Sequence, residues 1–245
     1  MTKNNTTIET GMVLAAGLGT RMQPLTDARP KPLIALAGKT LIDRVLDHLN
    51  AVGISRVVVN THYKAEMLEA HLAKREGIII SPEPDLLETG GGVKNALPLL
   101  GENAFFVVNS DAVWLDGPTR ALQRMAHAWI DEEMDALLLF QRTVAVRGLT
   151  GRGDFTLDSE GYVSRRQERA IAPFLFAGVQ ILHPRLFENA PEDAFSLNVL
   201  YDRAQEAGRL HGIVHDGEWF HVGTPEQREI AEYEILRGND SVNSR

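Results

Sequence analysis

Between residues 11 and 140 the chain alternates short, wholly apolar runs with stretches whose apolar residues recur at helical spacing. Residues 12–16, Met-Val-Leu-Ala-Ala, read as a buried strand that runs straight into a glycine turn. Leu41, Ile42, Val45, Leu46 and Leu49 mark one face of a helix, and Gly53 supplies its stop signal. Strands follow at residues 56–60, 78–80, 104–109 and 136–140, with a helix carrying Met67, Leu68, His71 and Leu72 between the first two. Strands without inside–outside alternation are covered on both faces, so this pattern predicts an α/β fold with a mostly parallel sheet flanked by helices. In such a sheet ligands collect beyond the carboxyl ends of the strands. The unusual residues of this chain stand there: the turn after Ala16, and Asp111 after the apolar run at residues 105–108.

From residue 148 the rhythm changes. Residues 151–157 with 161–163 read as a hairpin, 174–182 as a further strand, and 196–206 as a helix with Leu197, Leu200, Tyr201 and Ala204 on one face. Thr224-Pro225-Glu226-Gln227 is a helix start, with a capping threonine, proline at the first helical position and glutamine completing a capping box; the helix is expected to reach about Arg237. The polar ends, residues 1–10 and 238–245, read as tails. With no Pro-rich linker between the halves, one domain with a ligand-covering lobe is expected.

Composition narrows the function. The 245 residues carry 25 Lys plus Arg against 33 Asp plus Glu, a formal charge of −8, which argues against a nucleic-acid binder. It leaves room for a small phosphorylated ligand, because a metal ion and a few local cations reverse the field inside one pocket. The absence of cysteine excludes disulfides, thiolate zinc sites and a cysteine nucleophile. No signal-peptide pattern and no run of 18 apolar residues is present, so a cytoplasmic protein without membrane spans is expected.

The chemistry concentrates in Gly17-Leu18-Gly19-Thr20-Arg21-Met22-Gln23-Pro24-Leu25-Thr26 and Pro30-Lys31-Pro32-Leu33. A glycine turn after a strand lets backbone N–H groups approach phosphate oxygens. It is neither a dinucleotide fingerprint, since Met22 stands where the third glycine belongs, nor a Walker A loop. Arg21 and Lys31 beside it supply the cations that a triphosphate-handling turn requires.

These residues, from Leu14-Ala15-Ala16 through Pro32-Leu33, resemble the signature of the sugar-1-phosphate nucleotidyltransferases. Glu88-Thr89-Gly90-Gly91-Gly92, Asp111, Ala177-Gly178-Val179 and Trp219-Phe220-His221-Val222-Gly223-Thr224 extend the likeness over about residues 11–237. Leu87 to Gly92 and Gly151-Arg152-Gly153-Asp154-Phe155 are most similar to the N-acetylmuramate-1-phosphate uridylyltransferases of cell-wall recycling, while mannose-1-phosphate guanylyltransferases using GTP share the first signature. A non-catalytic nucleotide-sugar sensor is a third reading.

The resemblance implies a Rossmann-like, mixed, mostly parallel sheet of the nucleotide-diphospho-sugar transferase type with a small sugar-binding lobe. It implies a nucleotide-binding part at residues 11–140 and a sugar-binding part at 141–237. The implied partners are a nucleoside triphosphate, UTP in the favoured reading, and a sugar 1-phosphate; the implied cofactor is Mg2+, with Mn2+ an alternative. Leu14, Ala15, Ala16, Gly17, Gly19, Thr20, Arg21 and Lys31 would bind the nucleotide together with Thr89, Gly90, Gly91 and Gly92, which would wrap base and ribose. Arg21, Lys31 and Asp111 would be catalytic. Asn109, Arg152, Gly153, Asp154, Gly178 and Asn198 would contact the sugar, with Arg152 a candidate cation for its phosphate. Asp111 would bind the metal. Where the family carries a second metal-binding aspartate this chain has His221, which leaves three readings: a direct ligand, a holder of metal-bound water, or no metal role. Arg165, Arg166 and Arg169 read as a solvated loop face, His71 as a core-edge residue, His62 as a loop residue, and Trp219 as either core or sugar contact.

Overall fold

The computed structural model describes residues 8–146 and 151–243, with side chains described as far as residue 238. The polar segment before Ile8, the point at residue 148 where the sequence rhythm changes, and the last two residues lie outside the described residues. In chain order the elements are β1 (Thr10–Leu14), α1 (Leu25–Ala28), β2 (Ala35–Leu36), β3 (Lys39–Thr40), α2 (Leu41–Ala51), β4 (Arg56–Thr61), α3 (Ala65–Leu72), β5 (Ile78–Pro82), α4 (Glu88–Leu100) and β6 (Phe105–Asn109). There follow β7 (Val113–Leu115), α5 (Ala121–Ala128), β8 (Ala136–Arg142), β9 (Phe155–Leu157), β10 (Val163–Arg165), β11 (Phe174–Leu182), α6 (Asn198–Glu206), β12 (Leu210–Val214), β13 (Glu218–Phe220) and α7 (Pro225–Asn243).

One mixed sheet organises the chain. β5, β4, β1 and β6 run parallel in that order, and β11 joins β6 antiparallel. β11 in turn pairs antiparallel with β8 and, at Phe174, with β9, while β12 runs parallel beside β8. Strands from both halves of the chain thus share one hydrogen-bonded layer. β4 and β6 flank β1 on opposite sides, so the chain reverses its direction of travel across the sheet at the carboxyl end of β1. That reversal leaves a crevice between the loops after β1 and β6.

Apolar burial fixes the layers. Ile42, Val45, Leu46 and Leu49 of α2 pack with Val13, Val57, Val59, Phe106 and Val108 on one face of the sheet. Met12, Val58, Phe105 and Val107 pack with Val93 and Ala96 of α4 and Leu200 of α6 on the other. Each such side chain contributes about 1.5–3 kcal/mol relative to exposure. Thr40 caps α2, its hydroxyl accepting the Asp43 N–H at 3.2 Å. A third cluster bears on function: Met22 from the glycine turn, Leu36, Leu41 and Val113 pack with Val222 and with Ala231 and Ile235 of α7. It ties the turn after β1 to the segment that carries His221.

The ends depart from the expected tails. Ile8 is buried in the first cluster and β1 begins at Thr10, because an apolar residue just ahead of a central strand gains more by packing than by fraying. At the other end α7 continues through Asn243 rather than stopping near Arg237. Its start follows the expected cap with one shift: Thr224 Oγ1 accepts the Gln227 N–H at 3.3 Å, but Gln227 Oε1 accepts from Gly223 rather than from Thr224. Among the described residues no helix is long and apolar enough to cross a membrane.

Candidate active site

The glycine turn is held rigid from several sides. β1 ends at Leu14, and the Ala15 N–H donates to Asn60 Oδ1 at 2.6 Å. Gly19 takes a left-handed φ of 66°, and a Cβ there would stand 3.0 Å from both Lys31 Cβ and Thr26 Cγ2. The Gly19 carbonyl accepts from the Met22 N–H at 2.9 Å and from the Thr26 hydroxyl at 3.1 Å. Met22, fully buried, anchors the turn from beneath, while Gly17 has open space around it. Arg21 next to Met22 is exposed, with no hydrogen bond or ion pair to any described residue.

The loop after β6 meets this turn. Ser110 N–H donates to the Leu14 carbonyl at 3.0 Å, which places Asp111 across the crevice, and its carboxylate forms an ion pair with Lys31. Leu14, Ala15, Ala16, Gly17, Gly19, Thr20, Arg21, Lys31, Thr89, Asn109 and Asp111 line one cavity of about 540 Å³. The same wall includes Glu88 and Gly223, which the sequence reading named in motifs without a role, and Asn60, Glu83, Leu86, Ser110 and Ser196, to which it gave none. An amide closing the apolar run Val57-Val58-Val59-Asn60, on the strand beside β1, is the one signal that could have pointed to Asn60.

Gly90, Gly91 and Gly92, expected around the base and ribose, stand just behind the cavity wall that Glu88 and Thr89 form. They lie inside α4, and their small size serves packing. A Cβ on Gly90 would come 2.3 Å from the Phe195 ring, and one on Gly92 would come 2.7 Å from Glu83 Oε1. The N–H groups of Gly90 and Gly91 donate to the Phe195 carbonyl at 2.8 and 3.1 Å. Thr89 remains at the cavity, and its hydroxyl accepts the Leu197 N–H at 3.0 Å.

Of the expected sugar contacts, Asn109 lines the cavity while Arg152, Gly153, Asp154, Gly178 and Asn198 stand outside its wall. Gly178 (φ 78°) lies in a register break of β11 between Phe176 and Gln180, and a Cβ on it would stand 3.2 Å from Asn109 Nδ2. Such bulges re-aim a strand beside a site. Asp154 accepts the Phe176 N–H at 3.2 Å, and Gly153 is buried where a Cβ would strike the Ala172 carbonyl at 2.1 Å. Arg152 and Asn198 are exposed, and Asn198 opens α6 two residues beyond the cavity-lining Ser196.

His221 stands on the far side of Gly223, whose added Cβ would approach its Nε2 at 2.9 Å. It lines a second cavity of about 460 Å³ between β13, α7 and the end of β8. Trp219 braces this segment: its indole N–H donates to the Ala177 carbonyl at 3.0 Å, and its ring lies 5.7 Å from the His221 ring. Burial pushes the His221 imidazole below its usual range; Asp111 and Asp154 pull it up, and Arg21 and Lys31 push it down. His221 therefore lies within reach of the charges of Asp111, Arg21, Lys31 and Asp154. Two of the basic run bond within the protein: Arg165 Nη1 donates to both carboxylate oxygens of Asp202, and Arg166 donates to the Gly153, Gln167, Glu168 and Ala170 carbonyls; Arg169 is exposed. His71 bonds to Asp43, and His62 Nδ1 donates to the Glu83 carbonyl.

Residues 11–184 match the model of the MobA-like NTP transferase domain. The chain belongs to this NTP transferase family. It is 44% identical to the N-acetylmuramate alpha-1-phosphate uridylyltransferase of Caulobacter vibrioides, over 90% of this chain and 94% of that protein. It is 34% identical to the enzyme of the same name from Neisseria meningitidis, over 87% of this chain and 92% of that one. A solved structure of UDP-glucose pyrophosphorylase complexed with UDP-glucose superposes with a TM-score of 0.78 at 15% identity, over 95% of this chain and all of that one, and shows the shared fold. The transferase is accordingly an enzyme of nucleotidyl transfer, and the sheet expected from the sequence is the sheet found.

Proposed function

We propose that this NTP transferase condenses UTP with N-acetylmuramate 1-phosphate, giving the UDP-sugar and pyrophosphate, as a cytoplasmic enzyme of cell-wall recycling. The observation that carries the reading is one cavity at the sheet's reversal point, walled by a glycine turn, the exposed Arg21 and the Lys31–Asp111 ion pair. In the reaction an oxygen of the sugar phosphate forms a bond to the α-phosphorus while the bond from that phosphorus to the bridging oxygen breaks, and pyrophosphate leaves. Two polyanions must meet, so the enzyme's work is charge compensation and positioning.

The roles follow from place. The backbone at Gly17, Gly19 and Thr20 offers N–H groups to the triphosphate. Arg21, whose guanidinium has no partner among the described residues, binds the departing pyrophosphate with a planar fork. Lys31 steadies the α-phosphoryl oxygens. The Leu14–Ala16 backbone and Thr89 border the nucleoside, and Asn109 faces the sugar across Gly178. Residues 141–237 supply the rest of the sugar end, with Asp154 and Arg152 at its rim.

The donor set suits Mg2+ when the substrate brings most of the oxygens. Asp111 is a hard carboxylate at the cavity wall and suits that ion, whereas the His221 imidazole, held below its usual range chiefly by burial, is a poorer partner for Mg2+ and a better one for Mn2+. No group of three or more metal-binding side chains gathers among the described residues, so phosphate oxygens would complete the shell. Bound there, the ion supplies positive charge against the phosphoryl oxygens.

Pyrophosphate release decides the substrates. UTP and GTP are each tested against N-acetylmuramate 1-phosphate, mannose 1-phosphate and glucose 1-phosphate, with Mg2+ or Mn2+. Highest kcat/KM for UTP with N-acetylmuramate 1-phosphate is expected. Preference for GTP with mannose 1-phosphate, or no release with any pair, would overturn the proposal.

A further inference from the structure

Glu83 is a buried carboxylate, 4% exposed, that forms no ion pair with any described residue. A charge withdrawn from water is tolerated only when several donors satisfy it. Here Asn60 Nδ2 donates to Oε1 at 2.7 Å and the Leu87 N–H donates to Oε2 at 3.2 Å. Its backbone is pinned as well: Glu83 N–H donates to the Thr61 carbonyl at 2.8 Å, and its own carbonyl accepts from His62 Nδ1 at 2.9 Å. Asn60, 2% exposed, turns its other end to the phosphate turn, where Oδ1 accepts the Ala15 N–H at 2.6 Å. The chain of bonds therefore runs from the first residue after β1, through Asn60 and Glu83, to Leu87 at the threshold of α4.

Both ends border the nucleotide cavity, with Ala15 and Gly17 on one side and Glu88 and Thr89 on the other. The network also explains Gly92, since a Cβ there would come within 2.7 Å of Glu83 Oε1 and 2.9 Å of Asn60 Nδ2. A methyl group would part the two side chains. Polar networks of this kind, when every member is satisfied, fix one geometry.

We propose that Asn60 is a positioning residue for the nucleoside triphosphate, setting the phosphate turn and the Glu88–Thr89 wall at a fixed spacing through Glu83. It touches neither reacting atom, and it acts on the nucleotide half of the cavity alone. This rests on the reading that the cavity holds a nucleoside triphosphate.

The test uses full-length protein, with binding of UTP, GTP, CTP and ATP measured by calorimetry and steady-state KM measured for each substrate. Asn60→Ala and Asn60→Asp should each raise Kd and KM for the nucleotide about ten-fold or more, the scale of losing a hydrogen bond to a charged group. KM for the sugar phosphate should stay within about two-fold. Asn60→Asp sets two carboxylates face to face, so Asn60→Asp combined with Glu83→Gln is the decisive variant. The introduced glutamine amide donates to the introduced carboxylate in place of the lost bond, Ala15 and Leu87 keep their acceptors, and the net charge is unchanged. The double variant should recover nucleotide affinity to within about three-fold of wild type. Should Asn60→Ala not fold, the Asn60→Asp variant and its rescue decide alone. Wild-type affinity in the folded single variants, an equal rise in both KM values, or failure of the double variant to rescue would overturn the relay. A wild type that binds none of the four nucleotides would instead overturn the reading of the cavity itself.

Discussion

Two glycines of the same turn differ in what they do for the fold, and that difference separates folding from ligand binding in one experiment. Gly19 sits at φ 66°, and an alanine Cβ there would press on Lys31 Cβ and Thr26 Cγ2 at 3.0 Å. The left-handed backbone alone costs an alanine about 1–2 kcal/mol, part of which the stiffer unfolded chain returns. Displacing Lys31 and Thr26 adds to it. Gly19→Ala should therefore lower stability by about 1–2 kcal/mol, which in a chain of this size is a fall in Tm of about 2–8 °C. Gly17 carries no such strain, and a Cβ added there meets nothing within 4 Å. Gly17→Ala should leave Tm within about 2 °C, because open-surface substitutions stay within about 0.5 kcal/mol.

Activity should then break the parallel with stability. The space open to a Cβ at Gly17 belongs to the cavity, so a methyl group takes room that a phosphate oxygen needs near the backbone N–H. With Tm unchanged, KM for the triphosphate should rise at least ten-fold, about 1.4 kcal/mol of lost binding. Thermal denaturation and steady-state kinetics on the same preparations of wild type, Gly17→Ala and Gly19→Ala read both quantities. Wild-type nucleotide affinity in a folded Gly17→Ala protein would refute close approach of a phosphate to this turn, and the assignment of the cavity would fall with it.

Three further outcomes follow from the same geometry. Asp111→Asn should cut turnover by about 100-fold while sparing the fold, because it removes the charge that faces Lys31 and the incoming cation; a kcat within a few-fold of wild type would refute its role. His221→Asp should maintain or raise the Mg2+-supported rate if this position faces the metal, and indifference to both substitution and choice of Mg2+ or Mn2+ would place His221 outside the centre. His183, His211, His215 and His221 are all held below the usual imidazole range, chiefly by burial, and the buried Nδ1 atoms of His211 and His215 have no hydrogen-bond partner among the described residues. The unfolded chain therefore takes up protons first on acidification. This contribution to stability is complete above about pH 6.5 and fades as pH falls through the depressed folded values. Denaturant titration should show a loss between pH 7 and 5, before Asp43, Asp47 and Asp116, whose folded values lie below the usual carboxylate range, add theirs below about pH 4. A flat profile between pH 7 and 5 would refute it.

What the sequence shows of this molecule, and what it hides, depends on how far apart the cooperating residues stand. The central strands are legible because burial on both faces leaves an unbroken apolar run, as in Val57-Val58-Val59 or Phe105-Phe106-Val107-Val108. β12 is not, since His211 and Gly212 interrupt its run. Only the structure shows that Gly212 is small because a Cβ would come 2.2 Å from the Phe140 ring on the neighbouring strand. The three-residue strands β7 and β13 pair across about a hundred residues of chain, beyond the reach of any local pattern. The same reasoning sorts the site. Gly17, Gly19 and Arg21 fall within one five-residue stretch, Lys31 follows ten residues later, and their chemistry can be read as a unit. Gly90 to Gly92 look identical to ligand-approach glycines, because absence of a side chain is the only signal either use leaves. A Cβ on Gly90 would strike Phe195 and one on Gly92 the Asn60–Glu83 pair, and Phe195 and Asn60 belong to other segments of the chain. Glycine-rich sequence therefore marks where something comes close to the backbone; whether that is a phosphate or the protein's own core is set by residues that only the fold brings together.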